Sequence, residues 1–218
     1  MFIGHFGVGL AAKKVDQKPS LGTLFFASQF IDLLWPILLI FGIEKVVIEP
    51  GSTAFTPLNF VYYPFTHSLI GVLIWGFLVG GVYYILKKNI RSAILIGALV
   101  VSHWILDFIV HSPDLPLVPG LDVKVGLGLW NTILRTLIFE SAIFIIGVVI
   151  YYGITIAKNK KGEYGYWGLI LFIAVIYISN IFGPPPPDVE TIAWVGNLQW
   201  LFVFWAYWVD KNRETKTA

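Results

Sequence analysis

Seven ionisable side chains lie in or at the edge of apolar stretches of this 218-residue chain: His5, Asp32, His67, His103, Asp107, His111 and Glu140. They include every histidine in the sequence. A charge held within a membrane helix is costly, so such residues need a partner or a purpose. In the stretch SHWILDFIVHS, His103, Asp107 and His111 recur at i, i+4 and i+8. Each is turned by about 40° from the one before, so all three share one helical face. Imidazole nitrogens and carboxylate oxygens presented together are ligands for a divalent cation, zinc first among them. A buried His–Asp hydrogen bond would account for the i, i+4 pair equally well, and mutual pairing of buried charges would account for the larger set.

The elements that must position these groups follow from composition. Apolar residues make up 57% of the chain, charged residues 13%, and the mean hydropathy is +0.77. Soluble domains carry about 25% charged residues. That balance excludes a disordered tail, a coiled coil and an ordinary soluble enzyme. A net charge of +2, with its basic residues scattered, excludes the usual kind of nucleic-acid binder. The absence of cysteine excludes disulfides, thiolate metal sites and cysteine nucleophiles.

The expected architecture is all-α: one integral membrane domain over residues 1–218, a polytopic bundle in the lipid bilayer. A helix crosses the bilayer core with about 20 apolar residues. Six spans are predicted, at about 21–43, 66–86, 90–111, 132–157, 164–182 and 190–209. Met1–Ala12 is apolar but too short to cross, and reads as a half-helix dipping into the membrane. Twelve of the fifteen Lys and Arg fall in alternate loops and ends, around Lys13, Lys87, Lys158 and Lys211. The positive-inside bias then places both termini in the cytoplasm of a cell with this protein in its inner membrane, and puts residues 112–131 outside. At 1.5 Å per residue, Asp32 lies about 16 Å along its span and His5 about 12 Å in from Lys13. The seven groups can therefore converge between mid-membrane and the outer face.

Polar neighbours surround them. Thr66 and Ser68 flank His67, and Ser102 precedes His103. Asn131 and Arg135 open the fourth span as candidate substrate contacts, Arg135 as a clamp for an anionic head group or phosphate. Snorkelling of Arg135 to the interface is the alternative.

The elements GHFGVG, ASQFIDLLWP, PFTHSLIG and VVSHWILDF, with the later GPPPP, resemble the membrane-bound metal-dependent hydrolases, a family also described as LexA-binding and inner-membrane-associated. The family pattern of an N-terminal His, an acid ending an apolar run, THSL and SHxxxD maps onto His5, Asp32, His67, His103 and Asp107. Where many relatives have PDxD this chain has Gln29-Phe30-Ile31-Asp32, and where they have HRGx it has Tyr62-Tyr63-Pro64-Phe65. Two ligands of the family pattern are thus replaced.

The resemblance and the residues together imply a membrane-embedded hydrolase with one divalent metal, acting on a lipid or lipid-linked ester or phosphoester near the outer leaflet. His67, His103, Asp107 and Glu140 are the expected ligands, with His5, Asp32 and His111 as further candidates. Glu140 or Asp32 is the expected carboxylate for proton transfer. The alternatives are a small permease or ion- or proton-translocating protein using the same cluster, and a structural protein in which the cluster locks helix packing.

Overall fold

In a computed structural model describing residues 1–216, most of the chain is helical. Helix α1 (Ile3–Val15) is followed by α2 (Leu21–Ile40), a hairpin of β1 (Lys45–Ile48) with β2 (Leu58–Tyr62), and the single turn α3 (Pro64–His67). Then come α4 (Leu69–Lys87), α5 (Ile90–Val110), the short pair β3 (Leu115–Pro116) and β4 (Lys124–Val125), and α6 (Ile133–Ile154). The strand β5 (Thr155–Ala157), α7 (Lys160–Phe182), α8 (Val189–Asn197), α9 (Gln199–Lys211) and β6 (Arg213–Thr215) complete the order. Strands β5 and β6 pair antiparallel and tie the end of α6 to the last described residues. Among the described residues, six segments are long and apolar enough to cross a membrane; α8 and α9 together make the sixth.

Local chemistry sets the helix starts. Ser20, Ser68, Asn89, Asn159 and Asp188 each accept a hydrogen bond from the backbone N–H three residues on, which caps α2, α4, α5, α7 and α8. Pro36 stands inside α2 and cannot donate to the carbonyl four residues back, that of Asp32. The break between α8 and α9 brings Gln199 to that carbonyl, to which its side-chain amide donates at 3.3 Å. Gly196 packs against the Pro36 ring, where a Cβ would not fit.

Helix α1 packs against α6, α2 and α5, so the half-helix is an inner element of the bundle. Its approach to α6 rests on Gly7 and Gly147, since a Cβ on either would meet the other helix's backbone. At the basic end, buried Lys13 pairs with Asp210 at 3.3 Å, Arg91 donates to the Val15 carbonyl, and Ser92 donates to Asp16. Met1 lies at the other end of α1, buried in the bundle. It is therefore the Lys13 end of the half-helix, and not its first residue, that meets the basic ends of the spans.

Candidate metal centre

Five of the seven ionisable groups come together. His103 sits on α5 with its Nδ1 donating to the Ser28 carbonyl of α2 at 3.0 Å, which leaves Nε2 facing inward. That nitrogen is 3.1 Å from Asp107 Oδ2 and 3.5 Å from Asp32 Oδ1. From α3, His67 Nε2 lies 3.5 Å from Asp32 Oδ1 and 3.8 Å from Asp107 Oδ2. Two nitrogens and two oxygens thus alternate around one closed ring. His5, on α1, stacks flat on His103 at 3.6 Å between ring centres and places Nε2 3.2 Å from Asp107 Oδ1. The amine of Met1 also donates to Asp107 Oδ1.

These residues fit a cation. Metal–ligand bonds of about 2.0–2.1 Å to nitrogen and oxygen imply tetrahedral ligand edges of roughly 3.3 Å. Four of the six separations within that ring span 3.1 to 3.8 Å, and two triads, Asp32 with His67 and His103, and His5 with His103 and Asp107, each bring their ligand atoms within 4.8 Å of one another. Among the described residues, His103 Nε2 and Asp107 Oδ2 are buried with no aligned hydrogen-bond partner, close as they are to each other. Four of the five side chains are nearly fully buried, while Asp32 keeps 20% of its surface exposed and so marks the accessible side.

The THS element gives three successive side chains three tasks. Thr66 donates to Glu44, His67 enters the cluster, and Ser68 caps α4 while donating to the Pro64 carbonyl. His67 thus stands in its own turn ahead of α4, and does not open the second span. Glu44 is nearly fully buried and accepts from the backbone N–H groups of Phe65 and Thr66 at 2.8 and 2.9 Å.

The remaining candidates stand outside this ring. Glu140 is buried on α6 and its Oε2 accepts from the Phe2 backbone N–H at 3.0 Å, so it holds the first turn of the half-helix. His111 caps the end of α5, where its Nδ1 meets Asp114 at 3.0 Å and its ring lies 4.3 Å from that of Trp130. Asn131 and Arg135 are exposed at the start of α6, and Arg135 makes no salt bridge among the described residues. Sequence reasoning missed Glu44 and Gln199. Glu44 carries no local signal, because its partners, Phe65 and Thr66, lie more than twenty residues away in the chain.

The family model of the YdjM inner membrane protein matches residues 3–183. The chain belongs to this family. The match takes in all seven ionisable groups and stops ahead of α8 and α9, so Gln199 lies beyond it. YdjM membership, with the six apolar segments, makes the chain a multi-pass inner-membrane protein. It carries no statement about LexA binding or hydrolysis. No curated protein and no solved structure matches the chain.

Proposed function

We propose that this YdjM family member is a membrane-embedded hydrolase that uses one divalent cation, zinc, on a lipid or lipid-linked ester or phosphoester. The observation that carries the reading is the pair His103 Nε2 and Asp107 Oδ2, buried 3.1 Å apart and both without an aligned partner. His67, His103 and Asp107 would hold the cation, with His5 packed on His103 as the wall behind it. When bound, the cation supplies Lewis acidity and makes neighbouring water easier to deprotonate. Asp32, the ring member that keeps exposed surface, takes the proton of the attacking water on its carboxylate, then returns it to the oxygen of the leaving group. Glu140 serves the site by anchoring the turn before His5.

Depth supports the substrate class. Asp107 stands 17 residues along α5 from its basic end, about 26 Å at 1.5 Å per residue. With the basic ends cytoplasmic, that depth is the outer half of a core roughly 30 Å thick. Arg135, exposed at the same end of the bundle, is placed for a head-group phosphate. The test is zinc-supplied protein in vesicles of phosphatidylglycerol and phosphatidylethanolamine, followed for release of fatty acid, glycerol phosphate or head group. Release that is lost in Asp32→Asn supports the reading. Protein that binds zinc yet releases nothing from these lipids counts against it.

A further inference from the structure

We propose that Glu44, acting through Thr66, fixes the His67 ring with its proton on Nδ1, so that Nε2 reaches the centre as a free lone pair. Glu44 is thereby a positioning residue for the cation site, and the inference rests on the proposed function above. Glu44 Oε2 accepts the Thr66 hydroxyl at 2.6 Å, and the same hydroxyl oxygen lies 2.7 Å from His67 Nδ1. Glu44 Oε1 takes the Phe65 and Thr66 backbone N–H groups.

Counting protons decides the direction. Burial raises the Glu44 carboxyl above its ordinary value, and the three donors that converge on it work the other way and favour its anion. The anion can only accept, so the single hydroxyl hydrogen of Thr66 is spent on Glu44. Toward His67, the Thr66 oxygen can then only accept, and Nδ1 must carry the hydrogen. In a neutral ring that leaves Nε2 unprotonated, 3.5 Å from Asp32 Oδ1 and 3.8 Å from Asp107 Oδ2. Carboxylates and carbonyls behind metal-binding histidines set the tautomer in this manner. His103 reaches the same state by a different route, through the Ser28 carbonyl.

The backbone adds a mechanical link. The N–H groups of Ile43 and Glu44 donate to the Leu38 carbonyl at the end of α2, while the Glu44 side chain holds the start of α3. One residue therefore couples the helix of Asp32 to the turn of His67.

Two readouts on the full chain in detergent test this. The first is the nitrogen-15 spectrum of the histidine rings in metal-free protein at pH 8, with His67 assigned by its loss in His67→Gln. The relay predicts that His67 is protonated on Nδ1 and that Thr66→Val abolishes this preference while Thr66→Ser keeps it. The second is zinc affinity, expected to fall about 10–100-fold in Thr66→Val and Glu44→Gln and to stay within about threefold in Thr66→Ser. A wild-type His67 protonated on Nε2, or equal zinc affinity in wild type and Thr66→Val, overturns the inference. Wild-type protein that binds no zinc sinks the proposed hydrolase, whereas the ring spectrum decides the relay whether or not zinc binds.

Discussion

The Gln199 side-chain amide donates to the main-chain carbonyl of Asp32, the carbonyl that Pro36 deprives of its helical partner. A proline in the last turns of one span and a helix break in another thus answer each other beside the cluster. Discontinuous helices at membrane depth are tolerated where irregular backbone finds partners in the protein.

Gln199→Leu should therefore destabilise the protein by about 1 kcal/mol, the usual net worth of a hydrogen bond. Restoring the backbone N–H with Pro36→Ala gives the Asp32 carbonyl a partner within α2. In that background Gln199→Leu should cost clearly less. Thermal unfolding of the four members of this cycle in one detergent measures the coupling, and additive costs would remove the link.

Gly147 is where α1 meets α6, and Gly147→Ala forces the two backbones apart. Overpacking of this kind costs about 1–3 kcal/mol, and it should loosen His5, which α1 carries into the cluster. Gly81 on α4 faces open space, so Gly81→Ala should be neutral or stabilise by up to about 1 kcal/mol through helix propensity. Unfolding midpoints of the two variants should move in opposite directions or differ clearly in size.

Asp188 caps α8, and the Thr191 backbone N–H that it accepts at 2.7 Å holds its carboxyl below the ordinary 3.8. A lowered acid stabilises the fold above its unfolded value, and that contribution is lost as pH falls through the folded value. The Thr191 amide should thus lose protection in acid, beginning below about pH 4. Asp188→Asn keeps a capping oxygen without the titration, so its Thr191 protection, corrected for intrinsic exchange, should stay level across the same range. Hydrogen exchange on the two proteins checks this.

Contacts join basic ends of the spans, Arg91 to the Val15 carbonyl, Lys158 to the Lys211 carbonyl and Lys13 to Asp210, and twelve of the fifteen Lys and Arg belong to such ends. The chain has no cysteine, so single introduced thiols can be read without background. A cysteine at Asp122 should react with an impermeant reagent in intact cells, and one at Lys160 should react only after the membrane is opened. The reverse pattern would invert the orientation.

Much of the cluster was legible because helical spacing and burial coincide there. His103 and Asp107 are four residues apart on one apolar helix, and the structure puts their ligand atoms 3.1 Å apart. The half-helix was legible from its length, since 13 residues cannot cross the bilayer. Glu140 shows the limit of such reasoning. It shares the depth of the cluster, but its direction around α6 hands it to the Phe2 N–H, and rotation about the bundle axis is set by packing that no local pattern encodes. Glu44 was hidden for another reason: it sits in the loop after α2, and its burial comes with hydrogen bonds to Phe65 and Thr66, about twenty residues on, that no local pattern encodes. The sixth span read as continuous because apolar composition does not report the break at Leu198.

The central claim is that His67, His103 and Asp107 hold one divalent cation beside Asp32. Its most direct test is metal content, by elemental analysis, of protein purified in mild detergent with zinc supplied and excess removed. Wild type and Ile96→Val, a change at a buried apolar position on α5, should each carry one zinc per chain. His67→Ala, His103→Ala and Asp107→Asn, each still folded by its unfolding transition, should carry well under half of that. Equal zinc in all five proteins, or none in the wild type, would contradict the account and leave the buried cluster to proton or ion movement.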